Sequence, residues 1–276
     1  MQYRRRDGRV GPPEVYRHSR TVRIVHWTVA VAVVFLLMSG LQIFNAHPAL
    51  YWGQRSDFAS PIASIGTSVT DDSRAGVTRI FDHEFKTTGV LGLSGSGDDL
   101  EARAFPEWAT LPNQQDLAAG RSWHFLIAWV LVIAALVYFI ASVATGHFRR
   151  NILPTFRDLR DIGSSIADHL RLRAAASPGY NVLQKLAYCF LLFVLFPALI
   201  VSGLAMSPGL DTAFPFLTWI FDGRQSARTV HFLAAFAIVL FVAVHVIMVL
   251  VSGPLNLLRS MITGWYYLKP EASDEH

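Results

Sequence analysis

Four stretches of this chain, 24–44, 123–145, 186–206 and 229–251, carry no Lys, Arg, Asp or Glu. Each is about as long as a helix needs to cross a bilayer, roughly 20 residues. Soluble helices show water a charged face, and these stretches have none to show. The pattern therefore predicts an all-α integral membrane protein with four transmembrane helices in a single domain. Between the first two spans lies a long connection, 45–121, too long for a turn and rich in aromatics such as Tyr51, Trp52, Phe81, Phe85, Phe105 and Trp108. It is expected to fold in part and to offer a docking surface. Between spans two and three, Phe156, Leu159, Ile162, Ile166 and Leu170 recur at helical spacing among Arg and Asp. That pattern describes a helix over about 154–173 lying in the membrane interface, in contact with lipid. Span three contains Pro197, which is expected to kink it.

Composition sharpens the picture where it bears on topology. The chain has 276 residues, 52% of them hydrophobic and only 16% charged. Its net charge of +4 does not indicate nucleic-acid binding, because the basic residues are sorted by loop instead of gathered into a patch. Seven Arg precede or open the first span, and six more occupy the second connection. The first connection holds ten acidic against six basic residues. The positive-inside rule then puts both termini and the second connection in the cytoplasm, and connections one and three outside. The first 20 residues, rich in Arg with Pro12 and Pro13, read as a flexible arm on anionic headgroups with His18 solvated. The lone Cys189 excludes a disulfide, an iron–sulfur cluster and a covalent haem motif.

Histidines supply the chemistry. The fourth span holds His231 and His245, fourteen residues apart. On a helix that spacing is about 21 Å of rise and about 40° short of whole turns, so the two rings share one face at different depths. His124 enters the second span at the outer level of His231, and His26 enters the first at the inner level of His245. An Arg stands three residues before three of these histidines: Arg23, Arg121 and Arg228. Two imidazoles at one depth on separate helices suit the axial ligation of a b-type haem, which the pairs His124 with His231 and His26 with His245 would each provide. The three arginines would then meet haem propionates; the alternative is that they snorkel. A proton relay, the competing use, would recruit carboxylates within the spans, and there are none. His47 and His83 read as surface residues, His147 as interfacial, and His169 as riding the polar side of the interfacial helix.

With these residues the chain resembles the four-helix di-haem cytochrome b family of bacterial cytochrome b561 and the membrane subunits of nickel–iron hydrogenase, formate dehydrogenase-N and thiosulfate reductase. The resemblance implies two haem b groups, one between helices two and four and one between helices one and four. It also implies a quinone or quinol as mobile substrate: Tyr180-Asn-Val-Leu-Gln-Lys185 is similar to a run bordering the menaquinone site in the formate dehydrogenase subunit. Asn181 and Gln184 are the quinone candidates on that basis, with a cap for span three as the alternative, while Lys185 is a second candidate for an inner propionate. The implied role is an electron-transfer subunit of the bacterial cytoplasmic membrane, linking the quinone pool to a periplasmic oxidoreductase such as a molybdopterin enzyme. A stand-alone superoxide:quinone oxidoreductase and a haem-free anchor or transporter are the other readings.

Overall fold

The computed structural model describes residues 3–4, 14–70, 73–95, 100–160, 162–163, 166 and 182–268. Among the described residues, four helices are long and apolar enough to cross a membrane: Arg20–Asn45, Leu117–Ala144, Val182–Ala205 and Arg224–Val251. All four begin before the charge-free runs do, because long basic side chains such as Arg20, Arg121, Lys185 and Arg224 can sit in the opening helical turns and reach the interface. The third span is not uniformly α-helical. Residues Leu191–Leu195 form a π-helical turn just before Pro197. Proline has no N–H to donate and its ring crowds the carbonyl four residues back, so the ladder widens there. Of the interfacial helix expected over 154–173, Phe156–Arg160 is helical, and most of the remainder, His169 included, lies outside the described residues.

The chain divides into two compact units. The first comprises 1–28, 134–194 and 238–276. It holds a three-stranded antiparallel sheet, in the order β1 (Tyr3–Arg4), β2 (Glu14–Tyr16), β9 (Trp265–Tyr267). In its centre Val15 pairs with Tyr266, and both are buried. Glu14 accepts from Arg259 at 2.8 Å, and the Arg259 guanidinium lies 3.6 Å from the Tyr267 ring centroid. The helix Pro254–Thr263 is stopped by Gly264, whose φ of 92° suits a residue without Cβ. Its last carbonyls are taken by the first span: Arg23 donates to Ile262, and Trp27 Nε1 donates to Met261 at 3.2 Å.

Glu14–Tyr16 is thus a strand and not part of a flexible arm, and His18 is not solvated. The backbone N–H groups of Arg17 and His18 donate to the Gly264 carbonyl. The His18 side chain is buried, and burial, with Arg17 beside it, pushes its pKa down to about 4. In the same unit Thr155 and Asp158 cap a helical turn reciprocally, and Asp158 pairs with Lys185 at 2.8 Å. Lys185 and the Thr155 hydrogen bonds hold the Asp158 carboxyl at about 2.

The second unit comprises 29–133 and 195–237. Its connection between spans one and two is folded. A four-stranded antiparallel sheet has the order β3 (Ala49–Leu50), β4 (Ala63–Thr70), β5 (Ser73–Ile80), β6 (His83–Lys86), and a hairpin joins β7 (Gly92–Ser94) to β8 (Glu101–Arg103). Phe44, Leu50, Ala104 and Phe105 form the buried cluster that ties this segment to the end of the first span, with Phe232 of the fourth packed against it.

Polar bonds complete the tie. The Asn45 side chain brackets the Phe105 backbone, accepting from its N–H at 2.7 Å and donating to its carbonyl at 3.2 Å. The buried guanidinium of Arg103 donates to Gln42 Oε1, Thr110 Oγ1, the Asn113 carbonyl and Glu101. Arg103→Ala strands several of these acceptors, at about 1–3 kcal/mol for each that stays buried and unpaired. Limited proteolysis should therefore cut the 46–116 segment markedly faster in the variant. Unchanged cleavage would mean that the apolar cluster alone holds it.

Candidate functional site

His124 stands two turns into its helix and His231 likewise, and their ring centroids lie 6.1 Å apart with planes at 62°. The His26 and His245 rings are 6.4 Å apart at 57°. The first pair lies in the second unit and the other pair in the first. Among the described residues no group of three or more His, Cys, Asp or Glu could hold a metal ion. Each site thus offers two imidazoles and no more, a set that suits a metal arriving with its own equatorial ligands. With metal–nitrogen distances of about 2 Å and a ring centroid about 1.1 Å behind its nitrogen, two opposed imidazoles on one metal have centroids about 6.2 Å apart. Both pairs match that separation, so their residues fit a bis-histidine haem.

Hydrogen bonds at the His124–His231 pair decide which ring nitrogen is free. Ser202 donates its hydroxyl to the Ala198 carbonyl at 2.5 Å, so its oxygen is left to accept from His231 Nδ1 at 3.0 Å. The Leu199 carbonyl accepts from the same nitrogen, also at 3.0 Å. The serine arrangement at His124 is the same. Ser39 donates to the Phe35 carbonyl at 2.7 Å and accepts from His124 Nδ1 at 3.1 Å. Because the Leu199 carbonyl can only accept and each serine hydroxyl proton is committed to a backbone carbonyl, Nδ1 bears the proton in both rings, and Nε2 keeps its lone pair for a metal.

Glycine follows each of these serines for a spatial reason. A Cβ on Gly40 would lie 3.4 Å from His124 Cε1, and one on Gly203 would lie 3.3 Å from His231 Cε1. The first and third spans can press against the ligand-bearing helices only because nothing projects there. Ser39, Gly40, Ser202 and Gly203 are functional positions that hydropathy and histidine spacing do not reveal. The signal that identifies them is a repeat, Leu-x-x-Ser-Gly at 36–40 and again at 199–203.

The His26–His245 pair is built from aromatics. Trp27 stands edge-on to His26 at 5.3 Å, and Phe241 stacks on His245 at 6.1 Å and 7°. His26 Nδ1 is buried with no hydrogen-bond partner among the described residues, and so is Arg23 Nε. Unpaired polar atoms at a buried site mark groups arranged for something besides one another.

The arginines take different directions. Arg121 lies 5.7 Å over the Phe125 ring. Arg228 lies 5.3 Å over Phe44 and donates to the His47 carbonyl. Arg23 serves the Ile262 carbonyl. Lys185, the second propionate candidate, is instead paired with Asp158. Gln184 lies in the first turn of the third span, and Asn181 falls outside the described residues. His47 is not a simple surface residue: its ring stacks on Tyr51 at 5.6 Å, its Nε2 is buried without a partner, and burial beside Arg228 lowers its pKa. His147 follows the second span and meets Tyr138 edge-on at 6.3 Å, and burial and Arg150 lower its pKa. His83 is exposed on β6.

A family profile described as prokaryotic cytochrome b561 matches residues 17–264. Among curated proteins, the chain is similar to the putative protein-methionine-sulfoxide reductase subunit YedZ1 of Azospira oryzae. The two are 28% identical over 239 residues, which cover 86% of this chain and 91% of the relative. No solved structure matches the chain.

Proposed function

The chain belongs to the prokaryotic cytochrome b561 family, and on that footing we propose that it is an electron-transfer subunit carrying two b-type haems between a quinone and a catalytic partner. The observation that carries the proposal is the pair of histidine couples with centroids 6.1 and 6.4 Å apart. His124 and His231 hold one haem; His26 and His245 hold the other. Bound haem supplies reversible one-electron chemistry. The protein's part is to fix the ligating nitrogens, to exclude water with apolar helices, and to counter the propionates with Arg23, Arg121 and Arg228.

The haem of His124 and His231 faces the partner. The 46–116 segment, folded and tied to the first span, gives that side a platform with exposed aromatics such as Trp52, Phe58 and Trp108. The relative is described as a reductase subunit. By analogy this chain works with a periplasmic catalytic subunit, a molybdopterin enzyme that reduces oxidised protein methionines. The quinone pool meets the other haem near Asn181 and Gln184. Both termini are cytoplasmic.

The test uses the purified, detergent-solubilised protein. A quinol analogue should reduce its haems within the turnover time of the complex. Asn181→Ala should slow that reduction several-fold at unchanged haem content. Haems that dithionite reduces and no quinol does would remove the quinone from the mechanism.

A further inference from the structure

The two histidine pairs are not equivalent, and the difference lies one bond beyond the ligands. Both rings of the His124–His231 pair donate Nδ1–H to a serine oxygen, and His231 donates to the Leu199 carbonyl as well. Both serines are fully buried. They sit on the two spans that supply no ligand to this pair, so each ligand is braced by a neighbouring helix. In the other pair, His26 Nδ1 has no hydrogen-bond partner among the described residues.

Resting on the haem reading above, we propose that Ser39 and Ser202 are matched positioning residues that fix the tautomer of His124 and His231 and hold the haem between them at a lower reduction potential. The hydroxyl proton of each serine is committed to the carbonyl four residues back, at 2.7 Å for Ser39 and 2.5 Å for Ser202. The oxygen can therefore only accept. Accepting from Nδ1–H shifts electron density into the imidazole and makes Nε2 the stronger base. A more basic ligand stabilises ferric over ferrous iron, which lowers the potential. Because the serines are buried, no water can replace a deleted hydroxyl. The neighbouring glycines keep the braces close, since a Cβ at either would already touch the ring it faces.

The experiment is a redox titration of the intact protein, followed optically and by electron paramagnetic resonance of the ferric low-spin signals. It compares Ser39→Ala, Ser202→Ala, the double variant, and Ser39→Thr and Ser202→Thr. Each alanine variant should raise the potential of one haem by a threefold to tenfold change in its ferric/ferrous equilibrium, about 30–60 mV for one electron. The double variant should raise it further, the second haem should not move, and the threonine variants should track the parent. Loss of one haem from the alanine variants with retention in the threonine variants would equally support the hydroxyl's role. Unmoved potentials, equal shifts in both haems, or the same defect with alanine and threonine would overturn it. A parent protein without haem would instead reject the haem reading itself, so the two failures are distinguishable.

Discussion

His231→Ala should leave a protein with one haem instead of two, and His124→Ala should leave the same one. The two substitutions lie on different helices, Leu117–Ala144 and Arg224–Val251, yet each removes one of two opposed ligands from the same pair. A single imidazole leaves an open coordination position, and losing a ligand or its support costs a metal site 10-fold or more in affinity. The surviving signals in both variants should be those that His245→Ala abolishes. Haem-to-protein ratio and low-temperature difference spectra read this directly. If His231→Ala and His26→Ala instead deleted the same haem, His124 could not be the partner of His231.

Gly203→Val should be nearly as damaging, although it replaces no ligand. The added Cβ starts 3.3 Å from His231 Cε1, tighter than ordinary van der Waals contact, and valine then places two methyls beyond it. His231 is held by two hydrogen bonds from its Nδ1 and cannot swing aside without losing both. The ring or the whole third span must move, and overpacking of this kind costs about 1–3 kcal/mol. One haem should be lost or bound in high-spin form, and the His26–His245 site should keep its spectrum. Gly203→Ala should be milder, and Gly40→Val should reproduce the defect from the other side through His124. Full, unperturbed content of both haems in Gly203→Val would show that the contact is not tight in the working protein.

The parts legible in the sequence are those governed by one-dimensional rules. A bilayer demands a charge-free run, so the spans announce themselves. Fixed rise per residue turns position into depth, so four histidines sort into two levels. The β-rich segment was not legible because its strands are rich in Gly, Ser, Thr and Arg, with few large apolar residues, and are largely exposed, β6 fully so. The strand Glu14–Tyr16 is paired by Trp265–Tyr267, some 250 residues away, and no local pattern encodes such a partner. Ser39-Gly40 and Ser202-Gly203 stand near the ends of apolar runs and carry no chemistry of their own in one dimension. Their meaning depends on which ring lies opposite. Arg228 shows the same limit: its place beside His231 is readable, but its use of the His47 carbonyl depends on how the loop folds back.

Function, on this reading, depends on two haems, each held by two imidazoles of which one always comes from the last long helix. Quantifying haem in the purified parent protein, together with its ferric electron paramagnetic resonance spectrum, examines that dependence without any substitution. About two haem b per chain are expected, both low-spin, with ligand planes far from parallel as in the 62° and 57° ring pairs. A single haem, a high-spin majority, or a colourless protein that still passes electrons would contradict it.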